Sequence, residues 1–361
     1  MVTPDKKQRG IEALNQDFIR YEQVDKAQQY RLAESAGAEE YDDETVIPAC
    51  DLSQWIDGDS ATRAQFAKEL TDALRGIGFA ILVGHGVDPD RYVAAADRVS
   101  RFFETTPSDV KQRYRAERHG AINQGYFPKE ETSDIHPDLV EGWVFCRRAF
   151  ALDDGRGAPC RVADFWPDAD QEAFFRDLCS TQFSLVQPIV HAILTGLGVD
   201  PEHLDDALES TNFALRMNYY PPVTAADAAS GAGRLLGHED VTLFTLLPAP
   251  TVEGLQVLNR RNERWIRLAA PPGSIILNTG DYMQRISNDV LPSTTHRVAQ
   301  PTDPALRSTP RVSFPMNVYL PEDAMLQVLP GLGEPRYEPI RALTFHTRAT
   351  AKYYGDDYPV E

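Results

Sequence analysis

The sequence predicts a mixed α/β (α+β) protein in which helices flank a β-sandwich or barrel, and three observations carry that expectation. From about Phe213 to Val328, short apolar segments alternate with Pro, Gly and Asn turns, the pattern of a β core. Upstream, apolar residues recur at helical spacing in long segments. The composition is 42% hydrophobic and 25% charged over 361 residues, that of a globular chain with ample material for a core.

Taken in order, Ile11, Leu14, Phe18 and Tyr21 lie at helical spacing and predict a peripheral helix. The acidic run from Ala38 to Glu44 follows as a solvated link, so that residues 1–45 form an extension. Thr62 to Ile77 predicts a second helix, with Phe66, Leu70, Leu74 and Ile77 on one stripe and Gly78 as its stop. Phe79 to Val83 is a strand closed by the turn Gly84-His85-Gly86, where His85 is structural rather than a ligand. A long helix is expected from Phe174 to Leu197, kinked at Pro188. Residues 46–200 then form a region packing on the β core, 201–330 the core itself, and 331–361 a C-terminal helix, from Tyr337 to Tyr354, with a tail.

Charge and cysteine usage narrow the function classes. Acidic residues outnumber basic ones by 54 to 36, a net charge of −18, which argues against a nucleic-acid partner. No apolar run reaches the length of a membrane span, and Met1 to Lys7 is polar with no signal-like segment after it. Cys50, Cys146, Cys160 and Cys179 are scattered without metal-type spacing, which suits a reducing cytoplasm.

The chemistry concentrates in the β region. His238 and Asp240 are two apart and share one side of a strand, with Glu239 facing away. His296 follows within Ser293-Thr-Thr-His-Arg-Val298, a β-branched run with strand character. A His-x-Asp pair alone is common in surface hairpins. Two imidazoles and one carboxylate, however, make the donor set that leaves three iron positions open. Arg311 and Ser313 again share a face, and a planar guanidinium beside a hydroxyl suits the carboxylate end of a small molecule. His119, His136, His191, His203 and His346 have no partners at ligand spacing.

From about Val46 to Tyr354 the chain resembles the Fe(II)/2-oxoglutarate-dependent dioxygenases of the isopenicillin N synthase-like family. The resemblance begins with Ile47-Pro-Ala-Cys-Asp-Leu-Ser53 and the stretch Gly78 to Gly86. It continues through Arg216-Met-Asn-Tyr-Tyr-Pro-Pro222, Gly254-Leu-Gln-Val-Leu258, Pro272 to Asp281, and Gln284-Arg-Ile-Ser-Asn288, which leads into His296. It implies a double-stranded β-helix (jelly roll) core. It also implies Fe(II) on His238, Asp240 and His296, with 2-oxoglutarate and O2 as co-substrates. The distal carboxylate of 2-oxoglutarate would meet Arg311 and Ser313, and Asn218 and Tyr220 match positions that contact the co-substrate.

The implied reaction is oxidation of a small-molecule metabolite, hydroxylation by default, with desaturation or cyclisation open to the same chemistry and succinate and CO2 released. An oxidase that uses O2 without 2-oxoglutarate is the alternative, then an ethylene-forming type, with a non-catalytic jelly-roll binding protein the remaining one. Retention of Asp240 disfavours halogenation. Substrate contacts are expected from Tyr126, Trp143, Arg147, Phe314, Met316 and Phe345, with Pro315 to Asn317 making the pocket more polar. Neither the substrate nor the oligomeric state is legible in the residues.

Overall fold

The computed structural model describes residues 19–23, 26–30, 41–129, 138–147, 161–230, 233–301 and 303–354. Two strands, β1 (Ile19–Gln23) and β2 (Lys26–Tyr30), pair as an antiparallel hairpin, with Ile19 opposite Tyr30 and Tyr21 opposite Gln28. This corrects the helix expected around Tyr21. Ile19 and Tyr21 alternate at period two, and cross-strand pairing satisfies the backbone that a lone peripheral helix would have satisfied internally. Ile11, Leu14 and Phe18 lie outside the described residues.

The acidic link is corrected at Asp42, while Asp43 and Glu44 are exposed as a solvated link would be. Asp42 is buried. Its N–H donates to Trp265 O at 3.0 Å, and its Oδ2 accepts from Asn259 and Asn262 at 2.7 and 2.9 Å. Asn262's amide, then Thr45, hold its carboxyl below the usual range.

The strands after this hairpin are β3 (Ala49–Asp51), β4 (Phe79–Val83), β5 (Glu117–His119), β6 (Ile122–Phe127), β7 (Glu141–Cys146), β8 (Phe213–Tyr220) and β9 (Leu235–His238). Then come β10 (Phe244–Pro248), β11 (Leu255–Asn259), β12 (Arg264–Arg267), β13 (Ile275–Thr279), β14 (His296–Val298), β15 (Arg311–Ser313) and β16 (Met316–Val318). A large sheet runs β3-β4-β13-β10-β16-β8-β7-β6-β5, with β15 also paired to β8; a small sheet runs β12-β11-β14-β9. The architecture is the expected double-stranded β-helix flanked by helices.

Alternation along the strands explains how one sheet supports two interiors. In β4, Ala80 and Leu82 pack toward the helices, while Phe79 and Ile81 pack with Leu255, Val257 and Ile266 of the small sheet. In β13, Ile275 and Leu277 take the helical side and Ile276 the other. Strands buried on both faces read as continuous apolar runs, as these do.

The Ser60–Ile77 helix forms where its stripe predicted. Asp59 caps it by accepting from Thr62 N at 2.9 Å, and Gly78 ends it at φ 75°. The expected single helix at 174–197 is two, Ala169–Phe183 and Val186–Leu197. Pro188 has no N–H to donate, and its ring would strike the carbonyl four residues back, at Ser184, so the chain breaks there rather than kinking at the proline. The last helix runs Ala342–Tyr354, not from Tyr337. Pro339 disfavours helix at Glu338, and Ile340–Arg341 pair as β18 with β17 (Met325–Leu326). Among the described residues no helix is long and apolar enough to cross a membrane.

The helices Ser60–Ile77 and Val186–Leu197 meet at Gly196, where an added Cβ would collide with Thr71 Oγ1 and the Ala67 carbonyl. Gly76 is exposed with open space around it. Gly196→Ala should therefore lower unfolding free energy by about 1–3 kcal/mol, whereas Gly76→Ala should leave it unchanged or raise it by up to about 1 kcal/mol. Urea denaturation of the two variants checks both signs.

Candidate active site

Between the sheets lies a cavity of about 230 Å³. The small sheet supplies Leu235, His238, His296 and Val298 to its wall, and the large sheet supplies Arg216, Asn218, Tyr220, Thr245, Asn278, Arg311 and Ser313. Pairing of β9 with β14 sets His238 opposite His296 and Leu235 opposite Val298. Three steps on β9 thus match two on β14, a bulge. Without that extra residue Leu235 and His238 would point to opposite faces; with it both reach the cavity.

His238 ends its strand, and Asp240 lies just beyond it rather than on the strand, yet both face the same space. One donor atom from each of His238, Asp240 and His296 lies within 4.8 Å of the others. His238 Nε2 stands 3.7 Å from Asp240 Oδ1, and His296 Nε2 stands 3.9 Å from Asp240 Oδ2. The imidazoles are 4.3 Å apart between ring centres. Nδ1 of His296 lies 3.0 Å from Thr294 O, a carbonyl that can only accept. Nδ1 is therefore the donor to that carbonyl, which leaves Nε2 as the ring atom turned toward Asp240 and free to serve as a metal ligand.

The carboxylate is held by a short chain of donors. Asp240 Oδ2 accepts from Thr245 Oγ1 at 2.7 Å and Asn278 Nδ2 at 2.9 Å. Thr245 Oγ1 in turn accepts from Asn317 Nδ2 at 2.9 Å. Burial works to raise the Asp240 pKa, but His296, His238 and these hydrogen bonds outweigh it and the net direction is down. Two imidazoles and an ionised carboxylate suit a divalent transition metal such as iron. Glu239 turns away as expected and is buried against Arg260 and Thr295.

Across the cavity, β15 pairs with β8 so that Arg311 faces Tyr220 and Ser313 faces Asn218. Arg311 is 1% exposed. Its Nε donates to Val252 O at 3.1 Å and its Nη1 to Ser313 Oγ at 3.3 Å, and its guanidinium sits over the Tyr220 ring at 4.8 Å. Burial lowers its pKa, partly offset by Tyr220, from a value so high that it remains a cation. A buried guanidinium held on two sides still offers its remaining N–H groups to an anion.

The six residues expected to touch substrate fall elsewhere; none is among those lining the cavity. Trp143 packs with Phe102, Tyr114, Tyr126 and Phe145, and Tyr126 donates to Glu141 Oε1 at 2.7 Å. Phe314 stacks on Tyr92, and Met316 meets Cys179. Phe345 packs edge-on to Tyr282. Arg147 donates to the carbonyls of Glu209 and Thr211.

Five of the six are displaced by one residue. The wall holds Phe127, Val144, Pro315, Asn317 and His346, each next in sequence to one of those five. Strand parity could have found most of them. Arg311 and Ser313 share a face, so Pro315, Asn317 and Tyr319 follow on it; Asn218 and Tyr220 share one, so Ala214 and Arg216 do too. The expectation of a polar wall at 315–317 holds through Asn317 alone, since Met316 faces the helical core.

Known proteins can be set beside this geometry. The family described as non-haem dioxygenase in morphine synthesis, N-terminal, matches residues 47–169, and the 2OG-Fe(II) oxygenase superfamily matches residues 211–316. The 2-oxoglutarate-dependent dioxygenase frbA of Dothideomycetidae sp. (strain 11243) is 31% identical over 71% of this chain and 79% of its own length. A bi-functional coumaroyl CoA and feruloyl CoA ortho-hydroxylase of Ipomoea batatas is 28% identical over 81% of this chain and 77% of its own. A full-length Neurospora crassa protein, crystallised in complex with alpha-KG and thymine, superposes with a TM-score of 0.75 at 24% identity, covering 88% of this chain and all of that one.

The assignment of Trp143 to the helical core has a measurable consequence. Trp143→Ala should cost about 3–5 kcal/mol of stability in chemical denaturation. A loss under about 1 kcal/mol would contradict that placement.

Proposed function

The chain belongs to the Fe(II)- and 2-oxoglutarate-dependent oxygenases, using Fe(II), 2-oxoglutarate and O2; from that premise we propose that His238, Asp240 and His296 hold its iron and Arg311 with Ser313 its 2-oxoglutarate. The observation that carries this reading is convergence on one cavity: three metal-ligand atoms on one wall and a buried, half-satisfied guanidinium on another. When bound, the iron supplies the centre at which O2 and 2-oxoglutarate react, with release of succinate and CO2, to oxidise a carbon of the substrate.

The chain's own residues set the stage for that chemistry. Thr294 O fixes the His296 ring so that Nε2 faces the metal position. Thr245 and Asn278 hold Asp240 ionised and oriented, and Asn317 orients Thr245. Arg311 binds the distal carboxylate of 2-oxoglutarate with Ser313, and Tyr220 beneath it keeps water from the cation's face. Asn218, opposite Ser313, contacts the same co-substrate. The apolar residues Val140, Leu235 and Val298 around Tyr220 keep that end dry.

The substrate is a small organic metabolite, as the enclosed cavity and the small-molecule chemistry of the Ipomoea batatas relative support. Hydroxylation is the default outcome. The oxidase alternative, without 2-oxoglutarate, draws no support from relatives named for 2-oxoglutarate dependence. A role in biosynthesis in the cytoplasm is part of this reading; among the described residues Cys50, Cys146 and Cys179 are thiols rather than disulfides, as a reducing compartment keeps them.

His296→Ala should purify with far less iron than the wild type and give no turnover, by metal analysis and succinate release. Thr245→Val should keep all three ligands yet weaken iron by about 10–100-fold; equal iron affinity would remove the orienting role. In an anaerobic titration, Arg311→Gln should lose about 2–5 kcal/mol of 2-oxoglutarate affinity. Arg311→Lys should recover little of it, because an ammonium lacks the planar fork.

A further inference from the structure

Arg216 is the second arginine on the cavity wall, and neither the iron nor the 2-oxoglutarate assignment uses it. It lies on β8, paired with Val144 of β7, and its backbone N–H donates to Pro315 O at 2.9 Å. It shares the cavity face with Asn218 and Tyr220. Tyr220 is the cross-strand partner of Arg311, so the two arginines stand four residues apart along one strand face, roughly 13 Å at the rise of a strand.

The two guanidinium groups differ in their bonding. Arg311 is held by Val252 and Ser313. Among the described residues the Arg216 side chain has no hydrogen bond or ion pair, and its Nε is buried without a partner. The acidic residues of the wall have partners of their own. Asp240 is held by Thr245 and Asn278, Glu239 pairs with Arg260, and Asp138 has an interaction of its own. Beside Arg216 the wall is mostly apolar, with Ala121, Ile122, Phe127 and Val144, and with the Asn123 amide among them. His346 from the C-terminal helix joins that wall as a neutral ring, burial pulling its pKa down to about 4.

A buried, unpartnered donor costs free energy that a bound anion would recover. We propose that Arg216 is the substrate anchor, binding the carboxylate of an organic acid whose apolar body lies against Ile122, Phe127 and Val144. The proposal rests on the iron and 2-oxoglutarate reading above, since that reading assigns the other arginine to the co-substrate.

The test uses the anaerobic Fe(II) protein with 2-oxoglutarate and four acids, benzoate, phenylacetate, trans-cinnamate and sorbate, each beside its primary amide. Calorimetry gives the affinity of each probe, and the visible band of the chelated 2-oxo acid reports the co-substrate. At least one acid should bind. Its amide should bind on the order of a hundredfold more weakly, as should the same acid to Arg216→Gln, and Arg216→Lys should recover part of the loss. The 2-oxoglutarate band should be the same in all three proteins. Binding by none of the acids, equal binding of acid and amide, or wild-type affinity in Arg216→Gln would each overturn the anchor. Loss of the band in Arg216→Gln would also overturn it, by giving the residue to the co-substrate. Absence of the band from the wild type would instead sink the 2-oxoglutarate reading, while calorimetry would still decide whether acids bind at Arg216.

Discussion

The extra residue in β9 is the constraint on which the site depends. Antiparallel pairing sets His238 beside His296, but the three-residue interval from Leu235 to His238 faces a two-residue interval on β14. A regular ladder would send either Leu235 or His238 out of the cavity. The bulge keeps both in, and it lets the chain leave the sheet at once so that Asp240 bends back toward the imidazoles. Everything that touches Asp240 follows from that turn. Gly280 packs so closely on the Asp240 and Thr242 carbonyls that a Cβ there would clash. Asp281 N donates to Asp240 O at 2.8 Å, and Asn278, on the strand before Gly280, reaches the carboxylate.

The large sheet contributes through strict alternation. Phe213, Leu215, Met217 and Tyr219 of β8 pack toward the helices, while Ala214, Arg216, Asn218 and Tyr220 face the cavity. Val312, Phe314, Met316 and Val318 answer on the helical side, with Arg311, Ser313, Pro315 and Asn317 opposite. One register therefore builds core and site together, and a slip of one residue would exchange them. The aromatic residues drew attention as substrate contacts because they are large and apolar. Those same properties place them in the two-sided core.

What was legible in the sequence was local or periodic. The Ser60–Ile77 helix announced itself through its stripe and Gly78, and the triad and the Arg311/Ser313 face through residue type and spacing. Residue type alone pointed to Trp143 and Phe314, and parity counted from Ser313 would have corrected the second. The bulge left only a faint mark, Gly237 within Leu235-Leu-Gly-His238, a residue that permits a bulge without compelling one. The break near Ser184 was half legible: Pro188 signalled a disturbance, but its clash acts one turn upstream. The strands at Ile19–Gln23 and Lys26–Tyr30 were hidden because Tyr21 fits a helical stripe as readily as a pleat. Asp42 was hidden because its partners, Asn259 and Asn262, are distant in sequence.

Charge shows why the interior rather than the surface decides what the site accepts. The chain carries a net −18, a field that opposes the approach of any anion. Surface charges are screened beyond about 8 Å at physiological salt, whereas a cation on a cavity wall is screened far less. The two wall arginines differ in how they are held. Arg311 is oriented in advance by Val252, Ser313 and Tyr220, so the co-substrate proposed for it would meet a prepared fork. Among the described residues Arg216 has no such support, and its buried Nε stays without a partner until an anion arrives. A neutral molecule of the same shape would leave that penalty in place, which turns an unsatisfied donor into discrimination between acids and their neutral analogues.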